Sequence, residues 1–185
     1  MTHRTRAELE AGVDHVRESP GDTGRLELLV RRPAIGAREV LSGGTLDVVH
    51  GLMGDNWSVR GSSSAPDGSS DHRRQITLMN ARVAELVAGG TDRWVLAGDQ
   101  LFIDFDLSAS HLPPGTRIQI GGAVIEVTQP PHRGCHKFTA RFGADATAFV
   151  NSPVGVALNL RGINAKIVRG GAVRIGDSVT KLASS

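Results

Sequence analysis

A chain of 185 residues, 39% hydrophobic and 22% charged, is long enough for one domain with a real core and too short to promise two. Its 21 basic and 19 acidic residues leave a formal charge of +2. That surplus does not argue for a nucleic-acid partner, and a chain without tyrosine offers no base-stacking platform. No stretch approaches the roughly 18 apolar residues of a membrane span, and MTHRTRAELEAGV lacks the apolar centre of a secretory signal, so a soluble, cytoplasmic protein without a membrane partner is expected.

In chain order, TRAELEAGVDHVRE (5–18) places Leu9, Val13 and Val16 at helical spacing and predicts one short helix, stopped by Ser19, Pro20 and Gly21. LELLV (26–30) is a compact apolar run, and Gly43, Gly44, Gly51 and Gly54 divide the next stretch into short strands and turns. Residues 60–72, RGSSSAPDGSSDH, carry too little apolar area to offset their ordering entropy and predict a mobile loop. ITLMNARVAELVAGG predicts a strand, then a helix capped by Asn80 and ended by Gly89 and Gly90.

β patterning dominates from there. QLFIDFDL is apolar with acidic residues interspersed but breaks strict alternation at Ile103, TRIQI alternates cleanly, and AVIEV comes after the Gly121 and Gly122 turn. GCHKFTARFGADATAFVNS suits one or two short helices packed through Phe138, Phe142 and Phe149 with a break at Gly143. VALNLRGINAKIVRGGAVRIGDSVTKL returns to short strands. Many short strands, 23 glycines and two helical interruptions predict a mainly β fold with α decorations, a closed or nearly closed β-barrel. The expected division is a helical extension over 1–24 and a barrel over 25–182.

The single cysteine, Cys135, lies in QPPHRGCHKF. It cannot form an internal disulfide, which leaves core filler, a metal ligand or a reactive group in a reducing compartment. Core cysteines favour apolar runs, whereas this one stands among His132, Arg133, His136 and Lys137, after a Pro130 and Pro131 pair and a permissive Gly134. Cationic neighbours and an oncoming helix both favour a thiolate. Three chemistries compete. Zinc would recruit His132, Cys135 and His136 but lacks a fourth ligand. A Cys–His hydrolase or acyltransferase would need an orienting acid, Asp104 or Asp106. A soft thiolate could instead carry sulfane sulfur or bind molybdenum, with basic surroundings holding an anionic cofactor. The basic pairs Arg31–Arg32 and Arg73–Arg74 suit a small anion, against the plainer reading of solvated surface charge.

LAGDQLFIDFDLSASHLPPGTRIQIGGAVIEVTQPPHRGCHKF (96–138) resembles the MOSC domain, the module named for the C-terminal part of molybdenum cofactor sulfurase. GLMGDNW (51–57) resembles that family's first-half glycine turn and LRGINAKIVRGGAVRIGD (160–177) its closing strands, so the resemblance runs from about residue 26 to 182, as in a single-domain bacterial-type member. It implies a barrel of the pyruvate-kinase-barrel-like type with Cys135 at the functional cysteine. In relatives that reduce N-hydroxylated compounds that residue ligates the molybdenum of a pterin cofactor, and in cofactor sulfurases the domain binds the cofactor. Gly98, Asp99 and Gln100 match the family's Gly, acidic, Asn pattern except for Gln at the last place.

The resulting candidates are Cys135 as molybdenum ligand, His132 to tune the thiol or carry a proton, and Asp99 and Gln100 as polar contacts. Arg73, Arg74, Lys137, Arg141 and Arg161 are candidates for a pterin phosphate. A reductase has to be external, because one cysteine holds no iron–sulfur cluster and the chain has no dinucleotide fingerprint. The alternatives are a carrier of persulfide sulfur supplied by a separate pyridoxal-phosphate cysteine desulfurase, and a barrel without chemistry that serves interactions.

Overall fold

The computed structural model describes residues 3–62 and 67–183. Eleven strands occur among them: β1 (Thr23–Arg31), β2 (Glu39–Leu41), β3 (Gly43–Asp47), β4 (Gly51–Leu52), β5 (Ile76–Asn80), β6 (Leu101–Asp104), β7 (Arg117–Ile120), β8 (Ala123–Val127), β9 (Ile163–Arg169), β10 (Gly171–Arg174) and β11 (Ser178–Lys181). Seven of them close on themselves in the order β1, β11, β7, β8, β9, β5, β6 and back to β1. Closure is made by antiparallel β1 and β11, with Thr23 opposite Thr180. Only β5 and β6 run parallel, Leu78 facing Leu101. A parallel pair needs a crossover, here helix α4 (Ala81–Ala88) and a 3-10 turn over Thr91–Ala97. β2 extends from β1, and β10, β3 and β4 form a small second sheet.

Two apolar cores flank the barrel wall. Leu26, Leu29, Leu78, Leu101, Ile103, Ile125 and Val179 fill the inside. Leu28, Val30, Met79 and Phe102 point outward and are covered by helices. This explains the irregular QLFIDFDL pattern: both faces of β6 are buried, so period-2 alternation of polarity is lost while alternation of direction persists. In β1 the inward residues Leu26 and Leu29 have opposite parity, and a register shift against β6 between Leu26 and Leu28 accounts for it.

The predicted N-terminal helix is two: α1 (Arg6–Ala11), held by a capping box between Thr5 and Glu8, and α2 (Val13–Arg17), divided at Gly12. Gly12 packs against Leu86 with no room for a Cβ, and Leu9, Val13 and Val16 still reach the outer core. α4 agrees closely with the sequence reading. Asn80 accepts from the N–H groups of Arg82 and Val83, and Gly89 ends the helix at φ 72°.

Residues 63–66 of the expected 60–72 loop lie outside the described residues. Its flanks are ordered, since Arg60 ends helix α3 (Trp57–Arg60) and a 3-10 turn spans His72–Arg74. Ser70 Oγ donates to the Trp57 carbonyl at 2.8 Å. Downstream come α5 (His136–Val150) and α6 (Pro153–Ala157). The last of these overlaps a stretch read as strand; its signal was Ser152 as cap with Pro153 at the first helical position.

Candidate functional site

Cys135 occupies the N-cap position of α5 in extended conformation, and its thiol is exposed. α5 is not a straight rod. Fifteen helical residues would span about 22 Å, yet Asn151 beyond its C-terminus holds Gly134 before its N-terminus through a pair of hydrogen bonds, Gly134 N to Oδ1 at 2.9 Å and Nδ2 to Gly134 O at 3.0 Å. The chain turns back at Gly143, where φ is 91° and ψ 168°. The Thr139 and Thr147 hydroxyls then meet at 2.8 Å across the resulting hairpin. Phe138 and Phe142, one turn apart with ring centroids 4.8 Å from each other, anchor the first arm in the outer core.

Burial pushes the Cys135 thiol pKa up. The backbone N–H groups of Phe138 and Lys137, with the charges of Arg161 and Lys137 behind them, outweigh that and bring it below the ordinary thiol value. Beneath Cys135 lies a buried charged cluster. Asp99, with a fully buried side chain, accepts from Arg161 Nη1 at 2.7 Å and faces His132 Nδ1 at 3.4 Å. Arg161 also donates to the Ala97 carbonyl at 2.9 Å and lies 5.0 Å above the Phe138 ring. This arginine thereby ties the start of β9 to the first arm of α5. Gly162 beside it has φ 106°, and a Cβ there would collide with the Leu78 carbonyl, so the close approach requires glycine.

The His132 side chain is 17% exposed. Burial, reinforced by Arg161 and opposed by Asp99, pushes its pKa down to about 3, so the imidazole is neutral at physiological pH.

The turn over 96–99 distributes three arginines. The Leu96 carbonyl accepts from Arg141, that of Ala97 from Arg161, and that of Gly98 from Arg32. On its far side opens a cleft of about 660 Å³ lined by Arg32, Arg38, Arg60, Lys137 and Arg141, together with Gly98 and Ile35. Arg32 is neutralised by buried Asp55 at 2.9 Å. Among the described residues no carboxylate pairs with Arg38, Arg60, Lys137 or Arg141. Burial, then the charges of Arg141 and Arg32, holds Arg38 below its usual pKa, and burial with Arg32 does the same to Arg60. Arg38 Nε is buried without a partner, and a Cβ on Gly98, at φ 89°, would point at the Arg38 and Arg141 guanidinium groups. Concentrated guanidinium groups, most of them without an ion-pair partner among the described residues, suit a multiply charged anion.

The structure thus gathers Cys135, Lys137, Arg141, Asp99, His132 and Arg161 around one helix start. Gln100 is fully buried, its Oε1 accepting from Thr77 N and Oγ1; it has no surface to offer a ligand, and its work is to join β5 to β6. Arg161 likewise is a buried partner of Asp99 rather than an open cation. Arg73 and Arg74 turn to Asp71 and lie by the loop before His132 instead of in the cleft. Arg31 pairs with Glu39. The acid next to His132 is Asp99, not Asp104, which holds Arg82, or Asp106, which caps Ser108. Arg38 and Arg60 escaped the sequence reading, since each is an isolated arginine far from Cys135 along the chain.

Barrel and site together define a small β-barrel protein that presents one exposed, activated thiol beside a strongly basic cleft. Residues 97–180 match the model of the MOSC domain, and over that segment the chain is a MOSC domain. That segment carries Asp99, His132, Cys135, Lys137, Arg141 and Arg161; Arg32, Arg38 and Arg60 come from outside it. Among solved structures, the YuaD protein from Bacillus subtilis superposes with a TM-score of 0.62 at 19% identity, over 88% of this chain and 97% of that one. YiiM from Escherichia coli gives 0.55 at 18% identity, over 87% and 71%. YiiM from Geobacillus stearothermophilus gives 0.52 at 10% identity, over 86% and 75%. At these identities the likeness establishes the fold alone. No curated protein sequence matches the chain significantly. No helix among the described residues is long and apolar enough to cross a membrane.

Proposed function

We propose that the protein binds an anionic molybdenum–pterin cofactor, with Cys135 as the thiolate ligand and the arginine cleft holding the cofactor's phosphate, and that it reduces small N-hydroxylated substrates with electrons from an external reductase. The observation that carries this reading is the pairing of an exposed thiol of lowered pKa with a cleft whose Lys137 and Arg141 arise from the same helical arm. A soft thiolate suits a thiophilic metal. Arg38, Arg60, Lys137 and Arg141, none in an ion pair among the described residues, supply positive charge for a phosphate, and the missing Cβ of Gly98 keeps the backbone close to it. When bound, the metal centre supplies the redox chemistry that these side chains lack. The chain's own part is to favour the thiolate form of Cys135, fix its helix through Arg161 and Phe138, and bind the anion.

A second reading rests on the same thiol. An accessible thiolate can accept sulfane sulfur from a cysteine desulfurase as a persulfide and pass it on. The test expresses wild type, Cys135→Ser and Arg38→Ala/Arg141→Ala in a cofactor-replete host and measures molybdenum by elemental mass spectrometry and dithiothreitol-labile sulfur in parallel. Near-stoichiometric molybdenum, lost in Cys135→Ser and reduced in the double variant, is expected. Labile sulfur without metal selects the carrier reading. Metal loading unchanged in both variants overturns the assignment of site and cleft.

A further inference from the structure

A second cavity, of about 190 Å³, is lined by His132 but not by Asp99. Its walls come from the end of β8 and the loop after it (Val127, Pro131 and His132), from the segment leading into β9 and its first residue (Val156, Asn159 and Ile163), and from Ala109 and Leu112. Arg133 also lines it, and two peptide steps bring the chain from there to Cys135, at most about 7.6 Å between Cα atoms. An apolar cavity of about 150 Å³ accommodates benzene, so this one takes a single ring with a short substituent.

One feature marks it as more than a packing gap. His132 enters its wall with a defined polarity. Asp99 pairs with Arg161, and its Oδ1 faces Nδ1. The field of that carboxylate keeps the proton of the neutral imidazole on Nδ1, which leaves Nε2 a lone-pair acceptor. Protonation of Nε2 as well is opposed by burial and by the charges of Arg161, Arg74 and Arg32, which outweigh the favourable charge of Asp99.

Building on the cofactor reading above, we propose that this cavity is the subsite for the organic part of the substrate, a small neutral molecule with one ring or its equivalent that donates an O–H or N–H hydrogen bond to His132 Nε2. Charged bases and multi-ring molecules are excluded by the volume and the mainly apolar lining.

The test uses benzaldoxime, which donates through its hydroxyl, and benzaldoxime O-methyl ether, which does not, in NMR titrations of the ¹⁵N-labelled full chain. Saturable shifts at Gly162, Ile163 and the Asn164 side chain are expected, with the ether about fivefold weaker. The preference should vanish in His132→Phe, and binding of both probes should vanish in Ala109→Phe, where an exposed position fills the cavity while molybdenum loading stays at the wild-type level. No shifts at these residues, shifts confined to the arginine cleft, or wild-type affinity in Ala109→Phe would overturn the subsite, as would an Nε2–H tautomer of His132 in long-range ¹⁵N spectra. Metal content is read on the same preparations. Molybdenum without probe binding rejects the cavity and keeps the cofactor reading; probe binding without molybdenum supports the cavity and counts against the cofactor.

Discussion

Acidifying the folded protein should expose the cost of keeping His132 neutral. Its pKa is held at about 3 against an ordinary value of 6.5, so between those values the unfolded chain binds a proton that the folded chain refuses. Stability therefore rises with pH across that window and is lost as pH falls. At 1.36 kcal/mol per pKa unit the whole window amounts to ~5 kcal/mol, of which ~2 kcal/mol falls between pH 6.5 and pH 5. Solvent screens this ring little, since the side chain is only 17% exposed. The upper part of the window also lies above the range where carboxylates with lowered pKa, such as Glu126 and Asp71, begin to protonate. The assay is urea unfolding of wild type and His132→Gln at pH 7, 6.5, 6, 5.5 and 5, with free energies from linear extrapolation. Wild type should lose ~2 kcal/mol more than the variant over that range. Parallel pH dependences for the two proteins, or a wild type that gains stability on acidification, would refute the argument that His132 is buried neutral against Arg161.

Asp99→Asn leaves the Arg161 cation buried without its counter-charge and should cost about 3–5 kcal/mol, a fall in Tm on the order of 10 °C. The double variant Asp99→Leu/Arg161→Met should recover most of that loss in the same thermal scan. Gly162→Ala combines an unfavourable φ with a collision against the Leu78 carbonyl and should destabilise by more than about 2 kcal/mol, whereas Gly36→Ala, at φ 83° in open space, should cost roughly 1 kcal/mol; chemical denaturation distinguishes them. Alkylation of Cys135 by iodoacetamide should reach half its maximal rate at a lower pH than an ordinary thiol, because its pKa is lowered chiefly by backbone N–H groups at the helix start. A profile at or above that of free cysteine would remove the basis for an activated thiol.

Much of the barrel was legible in the chain because its signals are local. Asn80 and Gly89 bound α4 where capping chemistry predicts, the Gly121–Gly122 turn joins β7 to β8, and Gly143 breaks the helical arm. The cysteine's neighbourhood was also readable, since Lys137 and the oncoming helix lie within three residues of it. The misreadings have tertiary causes. Gly12 divides the first helix where Leu86 presses on it, and β6 loses its polarity pattern because helices cover its outer face.

What the sequence determined by itself was a strand-rich barrel with one thiol set among cations at a helix start, since turn residues, caps and charge next to Cys135 act over a few bonds. Only the tertiary structure decided which charges are free and which are bound. Arg161 and Asp99, 62 residues apart, neutralise each other inside the protein, while Arg38 and Arg60, distant in sequence from Lys137 and Arg141, converge with them around one cleft and, among the described residues, have no carboxylate in ion-pair contact. Pairing of charges depends on separation in space and on exclusion of water, and neither is written in the order of residues.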